Sequence, residues 1–188
     1  MKLYLIIISA SALIISAIVT LACDANYLAV LGLTALAIAI VILIDSLVAT
    51  VARLLPKKCA DHTAKIYQVG KGEKKFYEKL KIRKWKDKVP EIGHFTGFRK
   101  NKIAEPKSVE YVDRFLLEIC YGEIGHFFCL FIGFTLLLLF PISKLWLPIS
   151  IPVAIINVFL NLPSLFILRY NSYKLRILRK NNVKKQFA

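Results

Sequence analysis

Apolar positions gather in four long runs along the chain, and polar positions gather between them. Residues 3–22 carry no charge, and at about 1.5 Å of rise per residue their length matches the roughly 30 Å hydrocarbon core of a bilayer. After a break at residues 23–26 a second run covers residues 27–55, interrupted by Asp45 and stopped by Arg53 and Pro56. Residues 124–140 and 145–168 form the third and fourth runs, and the turn between them, which contains Pro141, is too short to join anything but antiparallel helices. The pattern predicts an all-α integral membrane protein with four transmembrane helices in two hairpins and a basic segment between them. The divisions it implies are an N-terminal hairpin (1–55), a basic amphipathic segment (56–115), a C-terminal hairpin carrying polar residues (116–170) and a basic tail (171–188).

Composition sharpens this picture. The chain has 188 residues, is 57% hydrophobic and carries a net charge of +15. Neither a soluble basic domain nor a disordered tail reaches both values, so the two kinds of residue are segregated and a nucleic-acid-binding domain is disfavoured. Residues 53–123 hold 18 Lys and Arg against 10 acids, and the tail from Arg169 holds seven basic residues and no acid. The positive-inside rule then predicts that both termini and the central segment are cytoplasmic. A secretory signal ending at Thr20-Leu21-Ala22-Cys23 is the rival reading of the first run, but the run is long for a signal core of about 7 to 15 residues. Cys23, Cys59, Cys120 and Cys129 form no C-x-x-C pair, and suggest neither a zinc knuckle nor a disulfide framework.

Chemistry concentrates where the third run begins. Glu118, Glu123 and His126 enter the apolar stretch, and an ionised group there costs about 2.5 to 3.5 kcal/mol at the bilayer centre unless it is paired. Glu123 and His126 are i and i+3, so the spacing predicts that Glu123, or Glu118, orients His126 as a general base. The same spacing also suits a Glu/His metal site, although the second such motif of a di-iron bundle is missing. Gly122, Gly125, Cys129 and Gly133 make a small-residue stripe for close helix packing. In the fourth run, Pro148, Pro152 and Pro163 are expected to break the helix, and Asn157 and Asn161 share one face. Asp45 is expected to be paired or interfacial, and Arg169 to meet the acidic cluster.

The central segment mixes charge with aromatics. Phe76, Leu80, Ile82 and Trp85 recur at three- to four-residue spacing among lysines, which predicts an amphipathic basic helix lying on the inner leaflet. Arg83, Lys84, Trp85 and Lys86 are candidates for gripping an anionic substrate. Pro90 and Gly93 predict a turn, and Phe95, Phe98, Arg99 and Lys100 a loop able to fold over a site as a lid.

These stretches, taken in order, resemble a known family. Residues 81–91 (KIRKWKDKVPE), then Glu118, Glu123 and His126, then Asn161-x-Pro163 with Arg169-Tyr170-Asn171, are similar to the successive motifs of the glycosyl-4,4'-diaponeurosporenoate acyltransferases. Those bacterial membrane enzymes esterify a fatty acid onto the sugar of a glycosylated carotenoid. The likeness covers about residues 53–178; the first run has no counterpart, and Ser172-Tyr173 stand where Arg-Pro is expected. It implies an acyltransferase with no cofactor beyond an acyl thioester co-substrate, delivered by coenzyme A or acyl carrier protein, and a lipid acceptor. His126, Glu123 and Glu118 would be catalytic, while Arg83, Lys84, Trp85, Lys86, Asn161, Arg169 and Asn171 would bind substrate. The competing class is a non-catalytic bundle that recruits anionic lipid or a partner.

Overall fold

The computed structural model describes residues 2–89 and 103–186, and within them every regular element is helical. Helix α1 (Lys2–Cys23) and α2 (Tyr27–Leu54) are followed by short 3-10 turns at Lys57–Ala60 and Lys65–Tyr67. Then come α3 (Lys71–Lys79), α4 (Ile82–Trp85) and a 3-10 turn at Lys86–Lys88. Helix α5 (Val109–Ile132) continues as a ten-residue 3-10 stretch, Gly133–Ile142, and α6 (Trp146–Gln186) completes the chain. Leu3–Cys23, Tyr27–Leu54, Val109–Leu139 and Trp146–Gln186 are long and apolar enough to cross a membrane, so the fourfold count holds. The expected turn at Pro90 and Gly93 and the lid of Phe95, Phe98, Arg99 and Lys100 lie outside the described residues.

Short polar side chains start the long helices. Asn26 Oδ1 accepts from the Ala29 amide (3.1 Å) and Ser108 Oγ from the Tyr111 amide (3.1 Å). Each covers a backbone donor that the first helical turn leaves open, a contact worth about 1 kcal/mol.

Two expectations are corrected. The third span starts at Val109, well before the apolar run, because Ser108 caps it and the polar residues up to Glu123 are helical too. The three prolines do not break the fourth helix: α6 is continuous over 41 residues. Pro148 lies in its first turn, where the missing amide costs no intrahelical bond. Pro152 and Pro163 leave carbonyls open, as transmembrane helices tolerate when neighbours supply donors. Nearby, the Tyr4 hydroxyl donates to the Leu160 carbonyl at 3.0 Å, next to the Phe159 carbonyl that Pro163 leaves open. At about 1.5 Å per residue α6 is about 62 Å long, twice the hydrocarbon core.

The basic amphipathic stretch is also not one helix. The chain turns at Lys81, whose backbone is left-handed (φ 53°), and α4 is a single turn. The break lets Tyr77 and Ile82 face the same apolar cluster with Val69, Ile167 and Tyr170, while Phe76 and Leu80 stay exposed. Packing against protein, not only lying on lipid, therefore organises this segment.

The chain divides into two compact units. The first comprises Met1–Thr50 and Gly125–Leu162, with a core of Ile15, Val19, Val30, Leu136, Trp146 and Ile149. Trp146 is fully buried there and its indole N–H donates to the Leu136 carbonyl at 2.7 Å. The second comprises Val51–Ile124 and Pro163–Ala188, with apolar clusters around Tyr77 and Ile82, around Leu116 and Leu175, and around Tyr67 and Cys120.

Candidate functional site

In the first unit, α2, α5 and α6 each send polar groups into one small cluster among apolar side chains. Asn161 is central to it. Its Nδ2 donates to Asp45 Oδ2 (3.0 Å), to Asn157 Oδ1 (3.0 Å) and to the Asn157 carbonyl (3.1 Å), and its Oδ1 stands 2.8 Å from His126 Nδ1. Asn157 Nδ2 donates to the Cys129 carbonyl (3.0 Å) and to Asp45 Oδ1 (3.3 Å). Asn157 and Asn161 are both buried, while Asp45 and His126 are half-buried.

The direction of every bond follows from the acceptors. The Cys129 and Asn157 backbone carbonyls only accept, so the Nδ2 groups of both asparagines must face them. Asn161 then has only Oδ1 left for His126, so His126 Nδ1 carries the proton and donates. A neutral imidazole has one N–H, which leaves the lone pair on Nε2. Among the described residues Nε2 has no hydrogen-bond partner. The Asn157 carbonyl and Asp45 together orient the Asn161 amide, which sets the tautomer of His126 and leaves the Nε2 lone pair open.

That arrangement corrects one expectation: His126 is oriented by Asn161, and not by Glu123 or Glu118. The physical reason is that both carboxylates have cationic partners in the second unit. Glu118 lies 4.0 Å from Arg53. Glu123, 4% exposed, accepts from Arg169 Nη1 at 3.0 Å, and its other oxygen is buried without a partner among the described residues. Arg169 is engaged further: Nε and Nη2 donate to the two oxygens of Glu73 (2.5 and 2.9 Å), and Nη1 donates to the Ile66 carbonyl (3.0 Å). Four of its five donors are used, so Arg169 meets an acidic cluster as expected but is not left open for a phosphate. The Tyr77 hydroxyl donates to Glu73 at 2.6 Å. Burial pushes Glu73 up, but the bonds from Arg169 and Tyr77 outweigh it and hold the carboxyl below its ordinary range. Burial, and then the neighbouring carboxylate, push the Tyr77 phenol up.

The remaining candidates divide by exposure. Arg83 and Lys84 are exposed on α4, where an anion can reach them. Lys86 is half-buried just beyond the helix. Trp85 packs against the Tyr77 and Ile82 cluster and its indole donates to the Leu80 carbonyl (2.9 Å), which gives it a structural task. Asn171 is buried on α6. No three His, Cys, Asp or Glu side chains converge as metal ligands among the described residues.

The small-residue stripe does what its spacing predicts. A methyl group built on Gly133 would lie 3.0 Å from Asn157 Nδ2, and one on Gly122 would lie 2.9 Å from a Leu168 methyl. Gly133 thus makes room for Asn157, and through it for the cluster.

Glu73 and Tyr77 escape sequence reasoning, because Glu73 is one acid in a field of lysines. Asp45 had a signal, as the one charge inside an apolar run.

A family model described as CrtO, glycosyl-4,4'-diaponeurosporenoate acyltransferase, matches residues 63–181, well over half of the chain. His126, Asn157 and Asn161 fall inside the matched stretch, while α1, α2 and Asp45 lie before it. No curated protein and no solved structure is similar to the chain by the same standard.

Proposed function

The chain belongs to the glycosyl-4,4'-diaponeurosporenoate acyltransferase family, and on that premise we propose that it transfers a fatty acyl group from a thioester to a hydroxyl of a membrane-embedded glycolipid. The observation that carries the reading is the oriented His126, with Nδ1 bonded to Asn161 and Nε2 without a partner among the described residues. In the reaction the acceptor hydroxyl gives its proton to Nε2 as its oxygen attacks the thioester carbonyl. The new C–O bond forms, the C–S bond breaks, and the imidazolium returns the proton to the leaving thiolate. While His126 is charged, Nδ1–H remains on Asn161 Oδ1, and the Asp45 carboxylate behind it compensates the positive charge.

Arg83, Lys84 and Lys86 are the donor's phosphate contacts in this reading, whether coenzyme A or the pantetheine of a carrier protein delivers the acyl chain. Glu123 and Arg169 hold the second unit together instead of touching the reacting atoms. The acceptor suggested by the family name is a glycosylated carotenoid, and the membrane in question is the bacterial cell membrane with both termini cytoplasmic.

The test is mass spectrometry of lipid extracts from cells with and without the protein, repeated with His126→Ala. A general base contributes about 10² to 10⁴ in rate, so the variant should lose acyl transfer by that factor while inserting normally. Transfer at the wild-type rate by His126→Ala would sink the assignment.

A further inference from the structure

Helix α3 meets α6 along a ladder of contacts. The Phe76 ring lies edge-on to Phe166 with centroids 5.7 Å apart, Glu73 Oε2 accepts from Arg169 Nη2 at 2.9 Å, and Lys74 Nζ stands 5.2 Å from the centroid of the Tyr173 ring. Phe166 and Tyr173 are about 10 Å apart along α6 at about 1.5 Å per residue. Phe166 belongs to the apolar run that ends at Leu168, and Arg169 is the first cation after that run. About 30 Å of helix, one hydrocarbon thickness, separates Phe166 from Trp146 at the start of α6. The contacts therefore give α3 a membrane-ward flank at Phe76 and an opposite flank at Lys74.

The two flanks differ in kind. With about 3.6 residues per turn, Leu80 follows Phe76 along the membrane-ward flank, Lys75 and Lys79 form the next strip round, and Glu78 joins Lys74 on the far side. Phe76 and Leu80 are 47% and 39% exposed, although Tyr77 on the same helix is buried. Lys75 and Lys79 are exposed and have no ion-pair partner among the described residues, whereas Lys74 pairs with Glu78 at 3.4 Å. We infer that this outer edge of α3 is a binding surface for anionic phospholipid. Phe76 and Leu80 rest in the acyl boundary of the leaflet that α3 adjoins, and Lys75 and Lys79 hold the phosphates of its head groups. Ile82 and Trp85, from the same basic stretch, pack on the protein cluster beyond the turn at Lys81 and take no part. The inference is independent of the acyl-transfer reading.

The occupant follows from charge and position together. A soluble acidic protein matches the lysines but not two exposed apolar side chains at the depth where hydrocarbon ends. Uncharged lipid matches the apolar pair and leaves the lysines without counter-charge. An anionic leaflet meets both, as it does for amphipathic helices that lie in the interface. The inward strip of α3 carries Glu73 and Tyr77 into the Arg169 network. Lipid bound on the outer edge favours the docked helix and therefore that network too.

The test uses the full-length protein in nanodiscs of phosphatidylcholine with and without phosphatidylglycerol, read by amide hydrogen exchange of residues 71–80. Phosphatidylglycerol should slow that exchange by about 5-fold or more, the worth of one lysine at an anionic surface, and raised salt should reverse the gain. The Lys75→Gln, Lys79→Gln double variant should lose the gain. Lys184→Gln with Lys185→Gln, which removes the same charge from the exposed end of α6, should keep it. Lipid carrying a diazirine high on its acyl chain should crosslink to Phe76 and Leu80 and not to Lys74 or Glu78. Exchange that phosphatidylglycerol leaves unchanged, a gain that survives loss of Lys75 and Lys79 or vanishes equally with Lys184 and Lys185, or the reverse crosslinking pattern would each overturn the inference. So would protection that a soluble acidic carrier protein raises and phosphatidylglycerol does not, which would assign the lysines to a protein partner.

Discussion

At the scale of single residues, the choice of which nitrogen of His126 holds the proton is made by the Asn161 amide, itself held by Asp45 and the Asn157 carbonyl. If Asp45→Asn turns its own amide N–H₂ toward Asn161, Asn161 flips and offers Nδ2 to the ring. His126 Nδ1 must then accept, and the proton moves to Nε2, the position required of the base. Asp45→Asn and Asn161→Leu should therefore lower kcat with little change in KM, by between about 10-fold and the roughly 10⁴-fold loss of a base held in the wrong tautomer. Unchanged kcat in both variants would show that Asn161 does not orient a base. The Glu73 carboxylate makes a different prediction, one of stability. Its folded pKa lies below the ordinary 4.5, so the Arg169 pair contributes in full above that value and is lost only as pH falls from there through the folded pKa. Melting of the purified protein should thus be sensitive to Glu73→Gln substitution at pH 7, and progressively less so as pH falls below 4.5. Sensitivity that does not fall at any pH below 4.5 at which the protein stays folded would contradict the pairing.

Elements show where sequence reading succeeds and where it fails. The four apolar runs were legible because charge-free stretches of bilayer length admit few alternatives, and the stripe from Gly122 to Gly133 was legible because small residues at helical spacing mark a close approach. Gly133→Ala should displace Asn157 by a few tenths of an ångström and reduce transfer. Gly122→Ala should be milder, since the end of Leu168 can rotate away; the comparison is made on thermal melting and transfer rate, and equal effects would count against a role for Gly133 in shaping the cluster. The break at Lys81 was not legible. Nothing in KLKIRKW marks a left-handed residue, and the turn arises because Tyr77 and Ile82 both bury against α6 residues distant in sequence. Likewise three prolines in α6 argue locally for a break, whereas the first-turn position of Pro148 and the tolerance of transmembrane helices for interior proline argue against it. Pairings are the least legible: i and i+3 spacing made Glu123 the natural partner of His126, and no local pattern reveals that Arg169, which also holds Glu73, claims it instead.

For the whole molecule, the distribution of basic residues predicts an orientation, and two native cysteines can read it. Cys23 ends α1 and Cys59 follows α2, and both are exposed. A membrane-impermeant thiol reagent should label Cys23 in intact cells and Cys59 only after permeabilisation; the opposite order would invert the topology. Charge segregation made that much visible in the sequence, whereas the division into two units was not, because each unit is assembled from two stretches far apart along the chain. The second unit closes on long-range bonds: Arg169 to Glu73, Arg176 to the His62 carbonyl, Arg179 to Asp113 and Asn182 to the Pro106 carbonyl. All four donors lie on the last stretch of α6. Synthesis runs at about 5 to 20 residues per second, so roughly 5 to 20 s separate the emergence of Glu73 from that of Arg169. During that interval Glu73 lacks its guanidinium partner, and Glu123, made later, waits for the same Arg169. A chain that stops short of Arg169 therefore leaves Glu73 and Glu123 without the guanidinium that bridges them.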